Sequence, residues 1–475
     1  MMLMSHRIIK FWIVTLFLTK MVLGQALVMS LSDCLEMGLN QGPDAKMARQ
    51  EFQAATWNHK ASEAAYLPEL SMTADLPGLV RAISSVSQDD GSVLFRPQSQ
   101  TFSRLNLTLN QKIALTGGQL FLSSGLNRIT TPDLYWQSTP LIVGFTQPLF
   151  QFNNLRWSRR IENRQYDLAE LRYKETLADV NINLVQRYFE VYIAQINVDL
   201  ARLNLAVNDS IYTISTGRYS VGKIAENDLL QSELARMNAE ADLNSSLLEL
   251  DRTWRELKIA LDLPLEKAIL LNEPPAFDKK TLDIDRLVQL AATNSSVLPA
   301  YRLQVLQADK AVRQAQSRRW FDANLSASWG YNKSGDVLSD VYNQPFDQQR
   351  FSVGLEIPIF NWGQRAATVK AALADNERVL TNLETQTRQF QQDVYFQAKQ
   401  FEQLQQQLLL SAKADTIGAR QFEVTKNRYV IGRVDITNLL RAQQEKDAAR
   451  KGYILNVRNY WLAYYRLKRL TLADF

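Results

Sequence analysis

Beyond its amino-terminal segment the chain offers one histidine, His59, and one cysteine, Cys34. Zinc sites, thiol chemistry and Ser-His-Asp hydrolysis all need such residues in clusters. His59 lies in the helical run AATWNHKASEAA, where it reads as a helix-surface residue and not as a base. Cys34 follows Leu31-Ser32-Asp33. An Asp before the cysteine makes a poor lipid-attachment signal, and the position fits the apolar face of a helix. A phosphate-binding loop is also missing from the sequence. These observations point away from an enzyme, and no catalytic residue, cofactor or metal ligand is assigned.

The charged residues that do show a pattern occur in two copies of one turn. Arg218-Tyr219-Ser220-Val221-Gly222-Lys223-Ile224 recurs 210 residues later as Arg428-Tyr429-Val430-Ile431-Gly432-Arg433-Val434. Each copy closes a long helical run and precedes another. Gly222 and Gly432 suit the left-handed conformation that ends a helix. Arg218 and Arg428 fall in the last turn, where a cation complements the helix dipole. Asp228 and Asp435 fall near the start of the next helices, the favourable end for an acid. Capping and contact with a partner both remain open readings of these residues.

The same offset of 210 relates VGFTQPLF (143–150) to VGLEIPIF (353–360), and Leu229-Leu230 to Leu439-Leu440. Earlier blocks match at other offsets: residues 31–42 with 284–295 at 253, and Leu70-Ser71-Met72-Thr73 with Leu325-Ser326-Ala327-Ser328 at 255. Such long-period similarity marks an internal duplication. The first copy, residues 25–274, then carries an insertion of about 45 residues within 77–140, and the second copy is 275–475. They meet in a linker near Leu263 to Thr281, broken by Pro264, Pro274 and Pro275.

Each copy reads as a helix (near 43–66 and 297–320), then strands, a very long helix and a second long helix. Leu70, Met72 and Ala74 alternate with polar neighbours, as do Leu325, Ala327, Trp329 and Tyr331, and Phe351, Val353 and Leu355. That period of two gives one apolar and one polar face. Aromatics such as Tyr66, Phe150, Trp320 and Trp362 flank these segments, the pattern a membrane barrel requires, although a soluble sheet with one buried face reads the same way. Residues 103–129 read as two strands around Thr116-Gly117-Gly118, an extra hairpin that either extends the barrel strands outward or forms an extracellular elaboration beside the four evident strands, and 77–102 reads as a surface loop. Leu155 to Gly217 and Gln364 to Tyr429 contain no proline, which allows roughly 90 Å of helix at ~1.5 Å per residue. Their apolar positions spread beyond a single stripe, so each helix has neighbours on two sides. Gln400, Gln403, Gln405, Gln406 and Gln407 suit a solvated or lumen face. Four strands per chain cannot close a barrel. A cyclic assembly can, and three chains would bring twelve strands and twelve helical columns. A solid coiled-coil rod is the alternative.

The first 24 residues have the form of a secretory signal: Arg7 and Lys10, then the apolar core Phe11 to Leu18, then a small Gly24. Their removal would take away three positive charges (Arg7, Lys10, Lys20) and no acids, lowering the formal charge from +5 to +2. A chain this near neutrality has no general attraction to nucleic acid.

Tyr66-Leu67-Pro68-Glu69-Leu70-Ser71, the strand-to-helix corners Gln147-Pro148-Leu149-Phe150 and Ile357-Pro358-Ile359-Phe360, and the two Arg-Tyr-x-x-Gly turns resemble the TolC-like outer-membrane efflux proteins over almost the whole mature length. The resemblance implies a mainly α chain with membrane β, whose homotrimer forms a 12-stranded β-barrel in Gram-negative outer-membrane lipid above a periplasmic α-helical barrel. It implies a passive duct for efflux or type I secretion, served by a periplasmic adaptor and an inner-membrane transporter. The turns become the periplasmic tip, with Arg218, Tyr219, Gly222, Arg428, Tyr429 and Gly432 at the adaptor contact. Entrance candidates are Asp228, Arg433, Asp435, Asn438 and Arg441. Relatives carry acids where Asn438 and Arg441 stand, so an acidic constriction is not expected here. Their basic latch residue falls on Val434, with Arg433 adjacent. The alternative to the duct is a periplasmic or surface coiled-coil protein without a channel.

Overall fold

The computed structural model describes residues 27–88, 90–131, 133–267, 269–275, 279–317, 321–357 and 359–473. The expected signal segment, Trp320 and Pro358 lie outside the described residues.

The elements run in order as β1 (Leu27–Met29), α1 (Leu31–Gln41), α2 (Pro43–Ala64), β2 (Glu69–Ser87), β3 (Val93–Ile113), β4 (Gly118–Thr131), β5 (Asp133–Leu149), α3 (Asn154–Ser220) and α4 (Glu226–Ala260). Then come β6 (Ile269–Leu271), α5 (Ile284–Asn294), α6 (Val297–Ser317), β7 (Asp322–Gly335), β8 (Phe346–Glu356), α7 (Gln364–Val430) and α8 (Ile436–Thr471). Helix, helix, strands, long helix, helix thus occurs twice. Helices α3 and α7 each run 67 residues, the proline-free stretches of the sequence.

Two compact units form, and each draws on both halves of the sequence. One comprises residues 50–173 and 295–392, and the other 27–49, 174–294 and 393–473.

The first unit holds an antiparallel sheet of six strands in the order β2-β3-β4-β5-β7-β8. The expected count was four. The difference is the insertion, which supplies β3 and β4 as full strands between β2 and β5. The hairpin around Thr116-Gly117-Gly118 is present. The stretch 77–102 is not a loop: β2 continues to Ser87, β3 starts at Val93, and a short turn joins them. Its Ser- and Gln-rich composition suggested a loop, but ladder pairing from Gly78↔Phe102 to Ser87↔Val93 satisfies its backbone.

Register aligns the alternation of every strand. Leu70, Leu109, Leu122, Val143 and Trp329 stand directly opposite one another across five strands. Gln111, Leu120, Phe145, Ala327 and Phe351 form the neighbouring row on that face. The other face carries Lys112, Gln119, Thr146, Ser326 and Ser352 in one row. Leu70, Leu122, Val143 and Trp329 are all exposed. Pro148 lies near the end of β5: pairing with β4 stops at Gln119↔Thr146, so the missing N–H falls beyond that ladder, while pairing with β7 continues to Leu149↔Ala323.

Helix α2 packs on α3 in the same unit. Phe52 stacks on Tyr173 at 4.9 Å and His59 on Tyr166 at 4.5 Å. His59 is therefore a packed residue with its side chain only 18% exposed, its Nε2 3.7 Å from a Glu63 oxygen.

Among its described residues, the regular structure of the second unit is helical apart from the short parallel pair β1 and β6. Its main core gathers Met29, Cys34, Val185, Tyr188, Phe189, Leu257 and Leu261. Tyr188 is fully buried and donates its hydroxyl proton to Asn272 O at 2.6 Å. The α1 terminus is a capping box, with Ser30 Oγ accepting from Asp33 N and the Asp33 carboxylate accepting from Ser30 N. The β1–β6 pair leaves no trace in the sequence pattern, because three-residue strands carry no measurable period.

The glutamine run divides. Gln400, Gln403, Gln406 and Gln407 are exposed as expected, but Gln405 is buried. It is turned toward the linker between the halves, where it bonds Lys280.

Candidate functional site

The two duplicated turns end α3 and α7 with the same hydrogen bonds. Gly222 N donates to Tyr219 O and Lys223 N to Arg218 O, each at 2.9 Å; Gly432 N and Arg433 N repeat this onto Tyr429 O and Arg428 O at the same lengths. This is the paired closure of a helix C-terminus around a left-handed residue. The glycines have φ of +71° and +74°. Nothing lies within 4 Å of a Cβ built on either, so the requirement for glycine is conformational and not steric.

The helices after the turns begin differently. Asp435 caps α8, its carboxylate accepting from Asn438 N at 2.8 Å. The matching position before α4 is Ala225, which supplies no side-chain cap, and Glu226 and Asp228 place negative charge in the first turn instead.

The fold brings the tips of the two hairpins together. Arg218 places its guanidinium 5.2 Å from the ring centre of Tyr429 and donates from Nη2 to Tyr429 O and Val430 O, both at 3.1 Å. Ser215 Oγ is 3.1 Å from the Tyr429 hydroxyl. Beneath, Ile211, Phe422, Ile436, Leu439 and Ala442 form an apolar plug. The C-terminal carbonyls of α7, unsatisfied within their own helix, are thus capped by a cation from α3.

Of the other sequence candidates, Arg428, Arg433, Asp435, Asn438 and Arg441 are exposed and Asp228 is half-buried. Among the described residues no ion pair joins one entrance candidate to another. Val434, at the latch position, packs against the apolar plug.

Further from the tip, side-chain pairs tie the helices to each other. Arg236 on α4 meets Asp209 on α3 at 3.4 Å, Asn204 on α3 donates to Asp447 on α8 at 2.5 Å, and Arg450 on α8 meets Asp415 on α7 at 2.9 Å. Lys446 is buried between these helices, 4.5 Å from the Phe422 ring centre and 3.2 Å from Asp447 Oδ1.

Two apolar stripes remain uncovered. On α4, Leu230, Leu234, Met237 and Leu248 are exposed, and with Ala241 and Asn244 they keep alternating spacings of four and three. On α7, Phe396, Leu410, Ile417 and Val424 are exposed at multiples of seven. Such spacing is a coiled-coil seam. The sequence reading passed over these stripes, and over Ser215, although the seam spacing and the offset of 210 from Ser215 to Thr425 were both available signals.

These arrangements bind, cap and pack. Among the described residues no group of three or more His, Cys, Asp or Glu side chains is placed to hold a metal ion. None of the described helices is long and apolar enough to cross a membrane.

Comparison with known proteins agrees with this geometry. The solved outer-membrane channel CmeC of Campylobacter jejuni superposes with a TM-score of 0.67, covering 93% of this chain and 85% of that one at 17% identity. VceC of Vibrio cholerae gives 0.67, covering 94% and 96% at 14% identity. In sequence, the outer membrane protein TolC of Vibrio cholerae is 22% identical over 353 residues, 71% of this chain and 80% of that protein. The alkaline protease secretion protein AprF of Pseudomonas aeruginosa is 24% identical over 262 residues, 54% of this chain and only 53% of AprF. The family model described as outer membrane efflux protein matches residues 35–261 and 287–471. Since those two segments take in both hairpins, both tips and all six strands of the sheet, the chain belongs to the outer membrane efflux protein family.

Proposed function

We propose that this chain is one subunit of a homotrimeric, passive exit duct in the Gram-negative outer membrane, reaching into the periplasm and serving efflux or type I secretion. The observation that carries this reading is the row Leu70–Leu109–Leu122–Val143–Trp329, an apolar face running through five hydrogen-bonded strands with a polar face behind it. Lipid covers such a face in a barrel wall, and the polar rows then line water. One chain leaves β2 and β8 as open edges, which a bilayer does not tolerate. Further copies must close them. Three chains would bring eighteen strands of this sheet, in place of the twelve that four per chain implied.

The helices support a cyclic assembly. Asn204 and Asp447 join α3 to α8 within the chain. If residues 25–274 and 275–475 are repeats, exchanging the halves of that contact pairs α7 with α4. Those are the two helices whose stripes stand bare, so α7 of one copy would meet α4 of the next in a heterologous, ring-closing contact.

A duct of this kind has no energy source of its own. A periplasmic adaptor, docking on the tips where Val221 and Ile431 are exposed beside the two glycines, would join it to an inner-membrane transporter. AprF is named for protease secretion; to this chain we carry the wider class of export.

The test is to extract the protein from outer membranes in detergent, measure its mass, and reconstitute it in planar bilayers. A trimer with stable conductance is expected. A water-soluble monomer without conductance would sink the proposal.

A further inference from the structure

The two tips carry a hydroxyl residue, an arginine and a tyrosine at matching positions, but only one of the two possible grips is formed within the chain. Ser215, Arg218 and Tyr219 of the first turn correspond to Thr425, Arg428 and Tyr429 of the second, each 210 residues on. Ser215 and Arg218 hold Tyr429 by a hydroxyl contact, a cation over the ring and two bonds to carbonyls. Tyr429 is 4% exposed, packed in the apolar plug as well as under this grip. The reciprocal members are idle. Tyr219 is 42% exposed. Arg428 is exposed and, among the described residues, makes no side-chain hydrogen bond, ion pair or ring contact.

The acceptors for a second grip are in place. Tyr219 O accepts from Gly222 N just as Tyr429 O accepts from Gly432 N. A carbonyl has two lone pairs, and on Tyr429 the second one takes Arg218. The carbonyls of Tyr219 and Ser220 end α3 as those of Tyr429 and Val430 end α7, so they present the same negative helix terminus to a cation. Thr425 keeps a hydroxyl at the position of Ser215. Its Oγ1 donates to Gln421 O within α7 and can still accept from a tyrosine hydroxyl.

We propose that Arg428 and Thr425 complete the same grip on Tyr219 of a second copy of this chain. This rests on the ring assembly proposed above. The tip of a trimer would then carry six equivalent clamps. Three of them, formed by Arg218, lie within chains; the other three, formed by Arg428, lie between chains. Only the second kind must break when neighbouring hairpins move apart, so Arg428 would hold the tip closed while Arg218 keeps each chain's two hairpins together through opening.

The experiment uses the full-length protein in detergent with Cys34→Ser as background. Tyr219→Cys with Arg428→Cys is treated with a short bis-maleimide, and Arg218→Cys with Tyr429→Cys serves as the within-chain control. The first pair should give covalent dimers and trimers on a denaturing gel. The control should take up one linker per chain and stay monomeric on the gel. Assembly mass is measured separately before cross-linking. A trimer by mass in which the first pair gives only monomers overturns the clamp and leaves the duct standing. A protein that is not trimeric by mass overturns both. In bilayers, Arg428→Ala should raise the time spent in high-conductance states several-fold, and Arg218→Ala should not; equal effects would overturn the division of roles.

Discussion

The side-chain amide of Gln405 binds the backbone of Lys280 in both directions: Oε1 accepts from Lys280 N at 2.8 Å and Nε2 donates to Lys280 O at 3.1 Å. A side chain here acts as a strand partner and fastens the proline-broken linker to α7.

Gln405 is only 3% exposed, so Gln405→Ala would leave two backbone groups poorly paired. The expected loss is about 1–3 kcal/mol, read as a lower thermal midpoint and faster proteolysis between Leu263 and Asp283. Gln405→Glu should be at least as damaging, since a carboxylate would face the Lys280 carbonyl. The exposed neighbour Gln406→Ala should change neither measurement.

At the turns, a side chain at φ near +70° costs about 1–2 kcal/mol for an ordinary L-residue, and the space around Gly222 and Gly432 is open. Gly432→Asn should therefore be mild and Gly432→Val clearly worse. Amide exchange at the ends of α7 and α8 would report the order.

On the sheet, Val143→Arg puts a cation into the apolar row. A lipid-facing cation at mid-depth costs about 2–4 kcal/mol, and the yield of heat-resistant trimer should fall sharply. Ser326→Arg on the polar face should assemble normally and alter conductance. Equal assembly of the two variants would contradict the assignment of faces.

Lys446 and Asp447 have side chains 10% and 17% exposed. Asp447→Ala would strand the Lys446 charge against the Phe422 ring and should cost about 3–5 kcal/mol, whereas Lys446→Met should be neutral or stabilising. Thermal midpoints of the two variants decide it.

Cys34 is fully buried in α1, and that burial pushes its thiol from an ordinary value near 9 up to about 12. A group raised in this way favours its protonated form in the folded state. Its contribution to stability is complete below pH 9 and is lost as pH rises toward 12. Burial raises Tyr188 as well, in the same direction. Maleimide should leave Cys34 untouched at neutral pH until denaturant is added, and the folded unit should weaken through the alkaline window.

The amino-acid order alone determines whatever leaves a periodic or duplicated trace in the chain. The long helices follow from proline-free runs, the strands from Leu70, Met72 and Ala74 or Leu325, Ala327 and Trp329 alternating with polar residues, and the turns from Arg-Tyr-x-x-Gly occurring twice at one offset. Each of these is a local property, because backbone sterics and side-chain direction act over a few residues. The tertiary structure alone decided which partners such elements take. It placed most of the polar stretch 77–102 in the ladder, turned Gln405 inward while its neighbours stayed in solvent, and set Arg218 on Tyr429 while Arg428 met no side-chain partner among the described residues. Hydrogen-bond satisfaction and burial are settled between residues hundreds of positions apart, and two turns of one pattern can meet different surroundings that no local pattern records.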